Sequence, residues 1–197
     1  MTRSDKRGER SVRRALRREI AARRDPAADA AAIAEAGVDL VRALGLDEGD
    51  TVTLYESFAG EPPTESLVAA LVARGLRVVV PITEPDLDLD WCDVADPERA
   101  ALGRAAIGEA ALVLAPGLSV DREGTRLGQG GGCYDRALPR RAHGAPVVVL
   151  LHPGEVADDP LPRDAHDAPV DAVLSVEGVR WLRPRSGGAD AVGMPRP

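Results

Sequence analysis

Aromatic side chains are scarce in this chain, and so are cysteine, histidine and lysine. Rings make up only 3% of the 197 residues, so a core has to be built from Val, Leu and Ala, and Tyr55, Phe58, Trp91, Tyr134 and Trp181 become conspicuous. The two cysteines, Cys92 and Cys133, lack metal-ligand spacing, which argues against a zinc site and a disulfide framework and fits a reducing compartment. Lys6 is the only lysine, which weighs against lysine chemistry of the sugar-phosphate or acyl-transfer kind. No apolar run approaches the roughly 20 residues of a membrane span. The charged start lacks the apolar core of a secretory leader, so the expected location is cytoplasmic, with no membrane partner.

Charge is plentiful but uneven. The net charge is −7, yet residues 1–24 alone carry +7, which leaves −14 on the remainder. A basic segment on an acidic body can bind nucleic acid. Here no aromatics interleave to stack on bases, so no nucleic-acid partner is expected. The cations are left to a phosphorylated ligand or to a solvated helix face. The length suits one domain, taken as residues 1–183. Residues 184–197 form a Pro/Gly-rich tail expected to be flexible, and a monomer is expected.

Hydrophobic periodicity and turn residues divide the chain into alternating elements. Residues 10–23 read as a helix with Val12, Leu16 and Ile20 on one face. Asp25 and Pro26 read as cap and first turn of a second helix that ends at Gly45. Thr51 to Tyr55 reads as a strand. Thr64 is expected to cap a helix with Leu67, Val68, Leu71 and Val72 inward. Arg77 to Val80 is a β-branched strand stopped by Pro81, Leu87 to Trp91 an edge strand, and residues 96–110 a short helix and linker. Leu112 to Leu114, Val147 to Leu151 and Ala172 to Ser175 are buried strands. Strand–helix–strand order implies parallel pairing through right-handed crossovers. The expected class is α/β: a mostly parallel open sheet with helices on both faces, in three layers α/β/α. Ligands in such sheets bind beyond the carboxyl ends of the strands, so the loops after Tyr55, Leu114 and Leu151 should converge on one crevice.

The segment most suggestive of chemistry runs Arg126-Leu-Gly-Gln-Gly-Gly-Gly-Cys-Tyr-Asp135. Glycines let backbone N–H groups face an anion without a Cβ in the way. Arg126 adds a permanent planar charge, and Asp135 offers oxygen to a magnesium ion. A helix beginning at Tyr134 would present its free N–H groups to the same anion. No Gly-Lys-Ser/Thr follows, so the loop is not a P-loop, and its glycine spacing is not that of a dinucleotide fingerprint.

Four ordered segments resemble the 5-formyltetrahydrofolate cyclo-ligase family: Arg13 to Arg17, Ser57 to Thr64 with Leu71 to Pro81, Ala115 to Arg136, and His166 to Val173. The third is the most specific. The resemblance implies an enzyme that uses ATP and Mg²⁺ to convert 5-formyltetrahydrofolate to 5,10-methenyltetrahydrofolate. Phosphorylation of the formyl oxygen creates a leaving group, and N10 closes the ring. By position it implies a nucleotide cradle of Arg126, Leu127, Gly128, Gln129, Gly130, Gly131, Gly132, Cys133 and Tyr134, clamped by Arg13, Arg14 and Arg17. It implies Glu56, Glu61 and Tyr134 at the folate, Asp135 and Asp167 at the metal, and Arg126, Tyr134 and Asp135 in catalysis. His166 is read as a turn residue and Trp91 as a crevice or core wall. Cys133 stands where the family usually has an aromatic, and residues 92–111 are shorter than usual. These departures motivate an alternative: a catalytically weak member that binds folate or nucleotide in a regulatory role.

Overall fold

A computed structural model describes residues 3–164 and 167–183. His166 and the expected tail 184–197 fall outside them. Helix α1 (Arg3–Ala21) precedes α2 (Pro26–Leu44). The latter starts as the sequence predicts: the Asp25 carboxylate accepts from the N–H groups of Ala27 and Ala28, satisfying donors that a helix start leaves open. Gly45 ends it at φ 69°. Gly37 inside α2 is a contact residue: a Cβ there would lie 2.4 Å from Leu67 Cδ1, so glycine lets α2 approach α3 (Glu65–Val72) closely.

Seven strands form the main sheet: β1 (Thr51–Thr53), β2 (Arg77–Thr83), β3 (Leu89–Asp93), β4 (Ala110–Pro116), β7 (Val147–Leu150), β9 (Ala172–Ser175) and β10 (Gly178–Trp181), in the order β10-β9-β7-β4-β1-β2-β3. The pairs among β2, β1, β4, β7 and β9 are parallel, and the edge strands β3 and β10 are antiparallel. Successive β7 residues alternate between the faces. Val147 and Val149 pack with Ile107, Tyr134 and Leu138, whereas Val148 and Leu150 pack with Ile33 and Val41 of α2 and Leu67 and Leu71 of α3. A strand buried on both sides reads as a continuous apolar run. Helices α2 and α3 cover one face. Short turns cover the other: α4 (Cys133–Ala137) and 3₁₀ segments at Arg104–Glu109 and Leu138–Arg140.

Several local expectations are corrected. Strand β2 continues through Pro81 to Thr83 because β1 ends opposite Val79. Pro81 therefore pairs only with Trp91 of the edge strand, where a missing N–H is tolerated. Thr64 does not cap α3 with its side chain. Its hydroxyl instead donates to Tyr55 O at 2.7 Å and accepts from Ser57 N at 3.1 Å, closing the loop after β1. Within α3, Leu67 and Leu71 are buried, but Val72 is exposed. The segment 116–132 is not a bare loop: β5 (Ser119–Asp121) and β6 (Arg126–Leu127) join β8 (Val156–Ala157) in a small second sheet ordered β6-β5-β8.

The face on which α1 docks is also different. Val12 is 62% exposed, so the predicted apolar stripe does not face the body along its length. Lys6 and Arg17 are buried instead. Three apolar side chains offer little area, whereas the acidic body supplies carboxylates and carbonyls that the cations reach.

Candidate active site

Loops at the carboxyl ends of β1, β4 and β7 converge, as that sheet topology leads one to expect. They enclose a cavity of about 750 Å³ lined by the 55–61 loop, Pro116-Gly117, residues 126–136 and the acidic pair Asp164 and Asp167, with Lys6, Arg10 and Arg17 of α1 along one side. Its size is within the range for small-molecule sites.

The glycine loop forms one wall. It leaves β6 at Leu127 and enters α4 at Cys133. Gly130 and Gly132 have φ of 112° and 71°, conformations that side-chain-bearing residues rarely adopt. No side chain caps α4, so the first-turn N–H groups have no intrahelical acceptor. Two arginines from α1 hold the loop, Arg10 from the cavity side and Arg14 from outside: Arg10 Nε donates to Gly128 O at 3.1 Å, and Arg14 donates to Gln129 Oε1 at 3.0 Å and to Gln129 O at 2.6 Å. Both spend hydrogen bonds on neutral acceptors and keep their charge for an anion.

Arg126 is buried at the root of this wall. One Nη donates to Asp135 Oδ1 at 2.5 Å, the other to Pro116 O at 3.3 Å. Its guanidinium carbon lies 5.6 Å from the centre of the Tyr134 ring, within cation–π range. Tyr134 in turn meets Trp91 edge-on, centroids 6.4 Å apart. Trp91 is fully buried, a core wall rather than a surface for ligand. Burial pushes the Tyr134 phenol well above its ordinary pKa, with nearby Arg126 opposing, so it remains a neutral hydroxyl at physiological pH.

The opposite wall is the loop after β1. Glu61 N donates to Phe58 O at 3.0 Å, and Phe58 N donates back to Glu61 Oε2 at 3.1 Å, a tight turn with Gly60 at φ 85°. The Glu61 carboxylate is directed to the cavity, 4.0 Å from an Arg17 Nη. Tyr55 lies beside it, its pKa raised well above the usual value by burial and then by the Glu61 charge. Glu56 sits at the rim, ion-paired with Arg99 at 3.0 Å, so the short segment after β3 reaches back to the site.

Arg17 is locked. Its Nε and one Nη donate to the two oxygens of Glu155 at 2.6 and 2.7 Å, and the same Nη donates to Gly117 O at 2.5 Å. Burial lowers its pKa, but the Glu155 hydrogen bonds together with the Glu155 and Glu61 charges outweigh this, and the net shift is upward.

The structure thus brings together Arg17, Glu56, Glu61, the stretch from Arg126 to Asp135, and Asp167. Arg13 is not on the cavity: its Nε pairs with Glu9, one turn earlier, at 2.7 Å. Arg14 lies on the outer side of the glycine loop. Lys6 and Arg10 take the inward positions, and sequence reasoning missed both. Their spacing from Arg17, back by eleven and seven residues, is a helical stripe and was the signal available. Lys6 bonds Asp167 and sits 2.8 Å from Asp164; burial opposes its charge, yet these contacts raise its pKa.

A nucleotide triphosphate suits this donor set: positive-φ glycines, uncapped N–H groups and Arg10, which bonds a carbonyl rather than a carboxylate among the described residues, on one wall. Among the described residues no group of three or more His, Cys, Asp or Glu could hold a metal alone. Magnesium carried by a triphosphate needs only one or two protein carboxylates, and Asp135 and Asp167 line the same cavity.

Comparison with known proteins agrees with this geometry. The model of the 5-formyltetrahydrofolate cyclo-ligase family matches residues 4–176. The 5-formyltetrahydrofolate cyclo-ligase of Mycolicibacterium smegmatis is 34% identical over 128 residues, 56% of this chain and 66% of that protein. The enzyme of the same name from Escherichia coli K12 is 28% identical over 108 residues, 47% of this chain and 59% of that protein. Each alignment thus spans less than two thirds of the relative. The 5,10-methenyltetrahydrofolate synthetase structures of Mycoplasma pneumoniae and Aquifex aeolicus share the fold. The first has TM-score 0.65 at 20% identity, covering 84% of this chain and 99% of that one. The second has TM-score 0.65 at 23% identity, covering 91% and 97%. With its sheet order, its converging loops and a family match over nearly all the described residues, this chain belongs to the 5-formyltetrahydrofolate cyclo-ligase family.

Proposed function

We propose that the protein catalyses ATP- and magnesium-dependent closure of 5-formyltetrahydrofolate to 5,10-methenyltetrahydrofolate. The observation that carries this reading is one cavity in which a phosphate-type wall, residues 126–136, faces a carboxylate wall at Glu61. ATP would supply the phosphoryl group that turns the formyl oxygen into a leaving group, chemistry in which a protein contributes mainly positioning and charge neutralisation. The glycine loop, Arg10 and Arg126 would hold the phosphates. Asp135 and Asp167 would hold magnesium beside them, with Lys6 and Arg126 offsetting the carboxylate charge. Glu61 would accept two hydrogen bonds from the pterin edge, a fit for adjacent N–H donors. Tyr134, neutral and between the walls, would pack where the two substrates meet. A cytoplasmic setting and a single chain as the working unit complete the reading.

One observation favours a second reading, a catalytically weak member that binds folate or nucleotide for regulation: Glu56 at the rim is tied to Arg99 of the short segment. The test is absorbance of the methenyl product in the near ultraviolet, with 5-formyltetrahydrofolate, magnesium and ATP each omitted in turn. A rise that needs all three supports the cyclo-ligase. Folate binding without a rise supports the regulator.

A further inference from the structure

His152 lies just past the carboxyl end of β7, is 4% exposed, and belongs to no part of the machinery described so far. Its surroundings are polar and specific. The ring Nε2 is 3.2 Å from Gly60 O. Its backbone N–H donates to Glu155 Oε2 at 2.8 Å, and its carbonyl accepts from Glu155 N at 3.1 Å. Nδ1 is buried without a hydrogen-bond partner among the described residues and faces Asp29 Oδ2 of α2 at 3.9 Å. Asp29 is itself held by both sides of the Arg24 guanidinium, one contact at 2.6 Å.

A carbonyl oxygen can only accept, so the hydrogen at Nε2 is fixed by Gly60. Gly60 is the positive-φ residue of the turn that presents Glu61. The turn is closed on its inner side by Glu61 N to Phe58 O, and on its outer side its carbonyl meets His152. The ring is therefore the back support of the Glu61 carboxylate. The same support extends to α1, because Glu155 receives both the His152 N–H and the Arg17 guanidinium.

We infer that His152 is a positioning residue for the folate side of the site: through Gly60 O it fixes the turn that aims Glu61 at the pterin. This deepens the cyclo-ligase reading and rests on it. Removing the donor frees the turn but leaves the glycine loop, Arg126 and Asp135 as they are, so the consequence is selective for folate.

The experiment compares wild type, His152→Leu and His152→Gln, reading steady-state KM for each substrate, equilibrium binding of 5-formyltetrahydrofolate, and thermal midpoint. Gln places a side-chain N–H near the position of Nε2; Leu has none. The expected result for Leu is a folate KM and Kd raised about tenfold, the effect of one lost hydrogen bond of about 1.4 kcal/mol, with the ATP KM within about twofold. Gln should recover most of the folate affinity. An unchanged folate KM and Kd in His152→Leu overturns the inference, as does a loss shared equally by both substrates, or a Gln variant no better than Leu at equal thermal stability. Wild type that binds folate without cyclising it removes the cyclo-ligase reading but leaves the Kd comparison to decide on His152. Wild type that binds no folate overturns both.

Discussion

Arg17 offers the most discriminating perturbation, because its resemblance-derived role and its observed contacts lead to different outcomes. Position in the family pattern assigns it to nucleotide binding. In the structure three hydrogen bonds commit it to Glu155 and Gly117, and Glu155 is fully buried. Arg17→Met removes the guanidinium and leaves Glu155 with the His152 N–H as a remaining donor. Breaking a buried ion pair from one side costs about 3–5 kcal/mol, mostly the penalty of a buried unpaired charge. For a chain of this size that corresponds to a fall of about 6–20 °C in the thermal midpoint. The double variant Arg17→Met, Glu155→Gln removes the charge as well and should regain more than half of the loss, since neutral groups of similar shape are far cheaper to bury than an orphaned carboxylate. The assay is thermal and chemical unfolding of wild type and the two variants without nucleotide. A single variant within about 1 kcal/mol of wild type, or a double variant no better than the single one, would refute the argument and return Arg17 to the nucleotide.

The other predictions follow from single contacts. Asp135→Asn should nearly abolish turnover while the protein stays folded; unchanged kcat would remove Asp135 from the metal. Glu61→Ala should raise the folate KM more than the ATP KM, and the reverse pattern would move Glu61 to the nucleotide. Gly130→Ala should raise the ATP KM and cost about 1–3 kcal/mol of strain. Space is not the obstacle, since the nearest atom to a Cβ is Arg10 Nε at 3.5 Å, but φ is 112°; an alanine variant with wild-type ATP affinity and stability would show that the loop tolerates another conformation. The Asp88 carboxyl is held below its usual pKa by hydrogen bonds from Arg140, against a smaller opposing effect of burial. A depressed folded value contributes stability that is present above the unfolded pKa of about 3.9 and is lost as pH falls through the folded value. Asp88→Asn should therefore melt lower than wild type at about pH 7, with the gap closing at about pH 2; a gap independent of pH would exclude the ion pairs as its cause.

Much of the sheet was legible because its signals are local. Asp25 with Pro26 marks a helix start, Gly45 its end, and the Val-rich runs mark strands buried on both faces. The glycine loop was legible for the same reason, since its chemistry lies in consecutive residues. What escaped depends on partners distant in sequence. Strands β5 and β6 are three and two residues long, too short for periodicity to register, and exist because β8 lies beside β5. Thr64 has the composition of a cap, yet its hydroxyl oxygen accepts from the Ser57 N–H while its hydrogen goes to the Tyr55 carbonyl. His152 carries no motif; its significance comes from Gly60, far away in sequence.

The orientation of α1 shows why such partners decide. Its three apolar side chains pointed to one docking face, its cations to another, and nothing local ranks the two. The acidic body does. Glu155 takes Arg17, and Asp164 with Asp167 take Lys6, so the helix is laid along the cavity by its charges. Among the described residues Arg10 and Arg14 find loop groups rather than carboxylates. The basic segment therefore divides into cations that fasten the helix and cations that remain uncompensated beside the glycines. The asymmetry visible in the sequence, +7 on the first 24 residues against −14 on the rest, is in this sense both the glue of the helix and the source of the positive field beside the glycine loop.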